Sequence, residues 1–201
     1  MISLAVCQPR RYTLQPKSAI LAHVWWPISP MYFPLIDRIT ELDTLRIVTQ
    51  KQLRPDEPYL QDHFPGFPVM PGVLMMESAF QTCGWLLCVA DRFQQGFPRL
   101  SDVRNVKFGS FVRPGDTLQL SAEVVQQKEN QTTLQVRGCV GEHSAVSGRW
   151  VLAFAESICD QPTEMRSHHT SSSPPSSMNK ELEHIFQSIC EPNCLLEPVD
   201  S

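Results

Sequence analysis

The sequence predicts an α+β fold in which a curved antiparallel sheet wraps around one long central helix. Two observations carry this prediction. Residues 73–93 form the longest apolar run of the chain, and the segments on either side of that run alternate between apolar and polar residues. A helix that is apolar on nearly every face has to be enclosed by other structure, and the alternating segments supply a sheet to enclose it.

Length and composition set the domain organisation. The chain has 201 residues, of which 42% are hydrophobic, enough for one core of about 100–150 residues. We expect a poorly ordered extension at 1–30, one domain at 31–158, and a Ser/Pro-rich disordered tail at 159–201 with room for a short helix at 179–190. The formal net charge of -4 argues against a nucleic-acid partner. No membrane partner is expected, since charged and polar residues interrupt every long apolar run.

The N-terminal residues and the cysteines bear on the compartment. Residues 19–28 faintly resemble a signal peptide, but His23 and Pro27 interrupt the apolar run, so we expect a cytoplasmic protein. Translation from Met31, where the domain pattern begins, is an open alternative. The seven cysteines form no regular framework, which favours reduced thiols. Cys190 and Cys194 are too loosely spaced from His168 and His169 to predict a metal site.

The strands are predicted from their period of two. Residues 32–43 read as a short helical or extended opening, and residues 44–53 alternate as a strand. Five prolines and two glycines between positions 54 and 72 exclude both helix and central strand, so this stretch is an ordered loop. After the helix, strand-like segments at 103–112, 117–127, 133–141 and 145–156 are separated by turns, which predicts an antiparallel meander.

Three features that carry chemistry converge on residues 63–81. His63 is followed by a proline-rich loop that holds its imidazole on rigid backbone. Glu77 lies in the apolar helix, where a carboxyl group with little water around it can stay protonated and donate a proton. Gln81 lies one turn further on the same helical face. The N–H groups near Gly72 and Val73 open the helix without acceptors and can polarise a carbonyl oxygen.

The residues alone leave structural alternatives open. A histidine in a proline-rich loop is commonly a surface residue or a hydrogen-bonded structural one. Glu77 could equally face the rim of the domain or pair with an arginine such as Arg104.

A longer motif favours the catalytic interpretation. The segment DHFPGFPVMPGVLMMESAFQ at 62–81 closely resembles the active-site segment of the 3-hydroxyacyl-[acyl-carrier-protein] dehydratases. The segment FPLIDRITELD resembles the opening of that family, and VKFGSFVRPGDTLQLSAEV resembles its later strand-turn-strand. The resemblance runs from about residue 32 to residue 156.

The resemblance implies a hot-dog fold and homodimers, or trimers of dimers, with active sites at the dimer interface. His63 takes the position of the base at C2, Glu77 of the partner subunit that of the group assisting loss of the C3 hydroxyl, and Gly72 that of the N–H donor to the thioester carbonyl. Gln81 supports the acid. The implied reaction converts (3R)-3-hydroxyacyl thioesters, on acyl carrier protein or coenzyme A, to trans-2-enoyl thioesters in fatty-acid or related acyl biosynthesis. No cofactor is implied, and Glu77 in place of aspartate predicts no isomerase activity.

Further sites are also expected, and some positions depart from the family pattern. The expected substrate tunnel comprises Phe64, Val73, Met76 and Phe80. The expected carrier-protein docking surface comprises Arg104, Lys107 and Arg113, with ordinary solvated charge as the alternative. Asp62, Phe67 and Ser78 depart from the usual glycine, basic or polar residue, and alanine, which leaves a specialised acyl pathway open beside fatty-acid synthesis. A hot-dog thioesterase and a non-catalytic acyl or carrier-protein binding module stay open as other functions.

Overall fold

The computed structural model describes residues 33–61, 63, 66–128, 131–154 and 176–192. All of these residues belong to one compact unit, the second of the chain, Phe33–Ser201. The expected N-terminal extension, the signal-like segment 19–28 and the tunnel residue Phe64 therefore lie outside the described residues, as do His168, His169 and Cys194.

The second unit contains a six-stranded antiparallel sheet and a helix packed against it, as the sequence predicts. The strands are β1 (Arg38–Leu42), β2 (Arg46–Gln52), β3 (Arg99–Phe108), β4 (Thr117–Lys128), β5 (Gln131–Val140) and β6 (His143–Ala153). The central helix is α1 (Gly72–Ala90), a 3-10 turn spans Pro58–Leu60, and a second helix, α2, spans Ser176–Ile189. The strand order is β1-β2-β4-β5-β6-β3. The opening segment, left open between helix and extended chain, contains strand β1.

The position of β3 differs from a simple meander. β4, β5 and β6 pair in sequence order, but β3 pairs with β6 at the far edge of the sheet instead of with β4. The chain from 109 to 116 therefore crosses between distant strands, and its Arg113–Asp116 turn is not a hairpin turn. Two register shifts and a positive φ of 54° at Asn105 mark β3 as an irregular strand.

Helix α1 fills the core enclosed by the sheet. Its residues from Ser78 to Cys88 are all buried, although α1 is long and apolar enough to cross a membrane by length and composition alone. Such a helix, mostly buried in its own domain, is typical of a protein core. Gly84 lies where the Phe97 ring packs so closely that a Cβ at this position would overlap it. Phe97 also contacts Phe80 and Trp85 edge-to-face, with ring centroids 5.7 and 5.5 Å apart.

The helix ends three residues earlier than the apolar run predicts. Arg92 and Phe93 adopt positive φ angles of 54° and 57°, which no helix continues. The Phe93 N–H donates to the Cys88 carbonyl at 2.8 Å, and Asp91 accepts from the N–H groups of Gln94 and Gln95 at 2.9 and 2.7 Å. Local hydrogen bonds thus replace the last predicted turn.

Helix α2 packs beside the C-terminal half of α1. Leu182 and Phe186 are buried, and the Phe186 ring lies 6.0 Å from that of Trp85 and 5.6 Å from that of Phe93. The next residue after α2, Cys190, forms a parallel bridge with Ile39 of β1. Cys190 is disulfide-bonded, so the expectation of reduced thiols throughout the chain is wrong for this residue.

A buried lysine holds the start of the loop that leads from β2 to α1. Lys51 of β2 is almost fully enclosed, and its Nζ lies 2.9 Å from Glu57 Oε1 and 3.2 Å from Asp37 Oδ1. Only the contact with Asp37 has hydrogen-bond geometry; the contact with Glu57 is an ion pair. The single ammonium group therefore connects the segment before β1 with the 3-10 turn that precedes His63.

Candidate active site

The loop before α1 positions the first residues of the helix at the protein surface. The Met70 N–H donates to the Val112 carbonyl at 2.9 Å, and the flanking side chains of Val69 and Met70 are buried. Pro71 occupies the N-cap, and its carbonyl accepts from the N–H groups of Leu74 and Met75 at 3.0 and 3.1 Å. The N–H groups of the first two helical residues precede any acceptor within the helix and point outward along its axis.

Gly72, the predicted carbonyl-binding residue, is the first residue of α1. A Cβ at this position would lie 3.2 Å from the Phe108 ring, which packs directly against the helix start. A side chain at this position would have to fit against that ring. Sequence reasoning missed Phe108 as a neighbour of this site, because its strand is distant in the chain and only the crossing at 109–116 brings it there.

Glu77 and Gln81 are brought together as predicted. The Gln81 Nε2 donates to Glu77 Oε1 at 3.0 Å and to the Phe33 carbonyl at 2.9 Å, while Gln81 Oε1 accepts from the Leu35 N–H at 2.9 Å. Gln81 is buried and Glu77 is half-buried. Water therefore reaches the carboxyl group more than the apolar sequence around it suggests, because Glu77 lies on the second turn of α1, before the fully buried part.

His63 lies in the loop between the 3-10 turn and α1, and its side chain is half-buried. The structure therefore places the two candidate catalytic residues on different elements, the base on the loop and the acid on the helix. Both side chains are half-buried, so each is partly exposed to solvent. Arg104, the alternative partner for Glu77, contacts Asp102 on its own strand instead.

The expected tunnel residues separate into two groups. Val73 is 70% exposed and Met76 is half-buried, so both border the surface near the helix start. Phe80 is buried against Phe97 and belongs to the core. The structure thus places Val73 and Met76 at the surface near the helix start and Phe80 in the core.

The expected docking residues lie along β3 and the loop that follows it. Arg104 is exposed and paired with Asp102, and Lys107 is exposed on the same strand. The Arg113 guanidinium lies over the Phe67 ring, 5.1 Å from its centroid. Hydrogen bonding to Arg104 lowers the pKa of the Asp102 carboxyl, so this pair stays ionised.

An exposed apolar patch surrounds the helix start. We define the apolar patch as Phe67, Val73, Phe108 and Phe111, which are 44%, 70%, 53% and 59% exposed. Phe67 and Phe111 contact each other edge-to-face at 5.7 Å. Clustered exposure of this kind marks a surface that another chain or a ligand covers. The sequence does show aromatic residues next to positions 66 and 109. The alternation of apolar and polar residues did not predict, however, that their side chains lie on the surface.

The candidate groups are the His63 imidazole on the loop, the Glu77 carboxyl and Gln81 amide in contact on α1, and the backbone N–H donors at the start of α1. That set is suited to moving protons and polarising a carbonyl. Among the described residues, no group of three or more His, Cys, Asp or Glu side chains could hold a metal ion.

Comparison with known proteins identifies relatives of this arrangement. Residues 39–149 match the sequence model of an ApeI-like family, described as ApeI dehydratase. The 3-hydroxyacyl-[acyl-carrier-protein] dehydratase FabZ of Levilactobacillus brevis is 39% identical over 121 residues, which cover 59% of this chain and 82% of that protein. FabZ of Clostridioides difficile is 34% identical over 125 residues, covering 62% of this chain and 88% of that protein.

A solved structure is also similar. The dehydratase heterocomplex ApeI:P from Xenorhabdus doucetiae contains a chain that is 24% identical, with a TM-score of 0.48, covering 60% of this chain and 98% of that one. The family match begins within β1 and ends within β6, so α2 lies outside it.

Proposed function

Because this chain belongs to the ApeI-like dehydratase family and is related to the FabZ enzymes, we propose that it removes water from (3R)-3-hydroxyacyl thioesters to form trans-2-enoyl thioesters. It is a dehydratase of the hot-dog fold. The FabZ relatives are named for substrates on acyl carrier protein, which makes a carrier-linked acyl chain the first substrate to test.

The reaction requires one base, one acid and one carbonyl-binding site. His63 removes a proton from C2, and the electron pair of that C–H bond forms the C2–C3 double bond as the C3–O bond breaks. Glu77 gives its proton to the departing hydroxyl group, which leaves as water. The Gly72 N–H stabilises the negative charge that develops on the thioester oxygen. Proton exchange with solvent then returns His63 to the neutral form and Glu77 to the acid.

One observation carries this assignment: Glu77 is held by Gln81 at 3.0 Å, one turn and a half after open helix N-terminal amides. Five residues separate Gly72 from Glu77, a rise of about 7.5 Å along the axis. This span suits a thioester whose carbonyl lies at the helix start and whose C3 hydroxyl reaches toward the carboxyl group.

We also propose that a second copy of the chain completes the site. Within the described sheet, β3 is an edge strand that pairs only with β6, and nearly all of its residues are exposed or half-exposed. Unpaired strand edges invite pairing with another chain. The apolar patch adjoins the end of β3, so a partner along this edge would cover it. In such a dimer, His63 of one protomer and Glu77 of the partner subunit serve one substrate.

The carrier protein would approach along the same side of the molecule. Lys107 directly precedes Phe108, whose ring packs against Gly72, and Arg113 lies over the Phe67 ring, while Arg104 lies further along β3. Acyl carrier proteins are acidic, so these cations would favour encounter with the carrier. Reversing the charge of Lys107 and Arg113 should raise KM for a carrier-linked substrate without changing KM for a short thiol-linked one.

The test is incubation of the purified chain with a defined 3-hydroxyacyl thioester, on carrier protein and on coenzyme A, with separation of the products by mass. Accumulation of the enoyl thioester supports the proposal. Release of the free acid and free thiol would instead assign a thioesterase. Tight binding of the acyl thioester with no change in its mass would assign a binding module, and either result would overturn dehydration.

A further inference from the structure

Ser78 makes an unusual contact for a serine inside a helix. Its hydroxyl donates to the Leu35 carbonyl at 2.8 Å, across 43 residues of sequence. Serine and threonine in helices commonly bond the carbonyl one turn before them. Thr82 does so, donating to the Ser78 carbonyl at 2.8 Å. The Ser78 hydroxyl instead bonds to a residue outside its own helix, in the segment that leads into β1.

The contact with Ser78 completes the hydrogen bonding of Leu35. The Leu35 carbonyl accepts from Ser78, and the Leu35 N–H donates to Gln81 Oε1 at 2.9 Å. Leu35, Ser78 and Gln81 are all buried. Two side chains of α1, three residues apart on one face, therefore fix a single main-chain residue by both of its polar groups.

Fixing Leu35 determines the orientation of the Gln81 amide. With its oxygen toward the Leu35 N–H, the amide nitrogen faces the Phe33 carbonyl at 2.9 Å and Glu77 Oε1 at 3.0 Å. The flipped amide would set two donors against each other at Leu35 and two oxygens against each other at Phe33. Only one orientation satisfies the buried groups, and in that orientation Gln81 donates to Glu77.

The orientation of Gln81 in turn distinguishes the two oxygens of Glu77. Oε1 accepts a hydrogen bond from Gln81, as the carbonyl oxygen of a carboxylic acid can. When Glu77 carries a proton, that contact therefore leaves Oε2 as the oxygen that holds it. A fixed amide thereby aims the proton-carrying oxygen of Glu77, while a mobile amide would let the carboxyl group rotate.

We propose that Ser78 is a positioning residue for the dehydration reaction, because its hydroxyl holds Leu35 where Leu35 sets the Gln81 amide and, through it, the carboxyl group of Glu77. In this role Ser78 acts through Leu35 and Gln81 and does not contact the substrate. The inference rests on the proposed function for its kinetic consequence, but the chain of contacts from Ser78 to Glu77 exists independently of any reaction.

The experiment compares the wild-type chain with Ser78→Ala, Ser78→Cys and the control Thr82→Val. Thr82 is also a buried hydroxyl of α1, bonded to Thr49 at 2.8 Å, but its hydrogen bonds go to neither Leu35 nor Gln81. For each protein, kcat and KM are measured with a 3-hydroxyacyl thioester, and the Gln81 side-chain amide protons are followed by NMR. We expect Ser78→Ala to lower kcat roughly tenfold with KM unchanged, a size typical of a loosened catalytic group.

The same variant should shift the Gln81 amide resonances and speed their exchange with solvent. Ser78→Cys, which keeps a weak donor of similar size, should lie between the wild type and Ser78→Ala. Thr82→Val should leave the resonances and kcat near those of the wild type. Equal kcat values for Ser78→Ala and Thr82→Val, or unmoved Gln81 resonances in Ser78→Ala, would overturn the inference.

The two readouts also separate this inference from the proposed function. A wild-type chain that forms no enoyl thioester overturns the proposed function, and the NMR comparison still decides whether Ser78 controls Gln81. If Ser78→Ala does not fold, Ser78→Cys supplies both measurements, and a wild-type kcat with unmoved resonances in that variant would overturn the inference.

Discussion

Gln81 donates a hydrogen bond to Glu77, one helical turn before it, with its Nε2 3.0 Å from the carboxyl Oε1. The same nitrogen donates to the Phe33 carbonyl, so a buried amide connects the carboxyl group of the site with the segment that opens the sheet. A side chain at position 77 that keeps an acceptor oxygen but has no acidic proton could keep this hydrogen bond. The effect of position 77 on activity can therefore be measured separately from its effect on stability.

Glu77→Gln should remove activity without loss of stability. The amide that replaces the carboxyl group has the same shape and can still accept from Gln81, but it has no acidic proton to give. Loss of a general acid lowers the rate by about 100-fold to 10,000-fold. We expect kcat/KM to fall within that range and the urea midpoint to be unchanged. Glu142→Gln, in an exposed turn, is the control that should alter neither quantity.

Gly84→Ala should destabilise the fold, although alanine has the higher helix propensity of the two residues. Propensity alone favours alanine within a helix by about 1 kcal/mol. The added Cβ would overlap the Phe97 ring, and overpacking of this kind costs roughly 1–3 kcal/mol. The sign of the change in the free energy of unfolding decides between the two effects. In a chain that also carries Phe97→Leu, the penalty of Gly84→Ala should shrink; an equal penalty in both backgrounds would remove Phe97 as its cause.

Lys51→Met should be strongly destabilising because it leaves buried negative charge. Lys51 lies 2.9 Å from Glu57, whose side chain is only 8% exposed. Removing one partner of a buried ion pair costs about 3–5 kcal/mol. We expect a loss of this size in urea unfolding, partly restored in Lys51→Met combined with Glu57→Gln. Lys128→Met, at an exposed position of β4, is the matched control. A loss no greater than that of the control would show that the ion pair contributes little.

The cysteines should differ in their rates of alkylation. Burial raises the pKa of the Cys83 and Cys88 thiols, so at mildly alkaline pH few of these thiols are ionised, and the thiolate is the reactive form. Cys139 of β5 is half-buried and should react before either of them. Mass mapping after iodoacetamide treatment of the native chain checks this order. Modification of Cys83 or Cys88 as fast as Cys139 would mean that α1 opens readily to solvent.

The sequence predicts those features that depend on local pattern. The apolar run identifies α1, the spacing of Glu77 and Gln81 places them on one face, and alternation finds the strands. Local pattern does not predict the contacts between segments that are distant in the sequence. Nothing near Ser78 in the sequence reveals its bond to Leu35, and nothing near Gly84 reveals the Phe97 ring that fills the space beside it. The position of β3 at the sheet edge also depends on global topology, so the aromatic wall that Phe108 forms at Gly72 could not be anticipated.

The end of α1 illustrates the same limit. Apolar composition carries the predicted helix to Phe93, but the Asp91 side chain accepts from the N–H groups of Gln94 and Gln95, and the chain turns there. Side-chain hydrogen bonds of this kind compete with the helical ones and override hydrophobicity. The hydrogen bonds of Asp91 therefore determine where α1 ends, whereas the buried apolar residues along α1 account for the helix before that point.

We propose that His63 and Glu77 of two different protomers form one dehydratase site. The most direct test of this shared site is complementation between His63→Ala and Glu77→Gln chains, each inactive alone, coexpressed with different tags and purified as the mixed dimer. One of the two composite sites then retains both residues, so about half of the wild-type dehydration rate should return. A mixed dimer that forms but stays as inactive as either parent would contradict the claim.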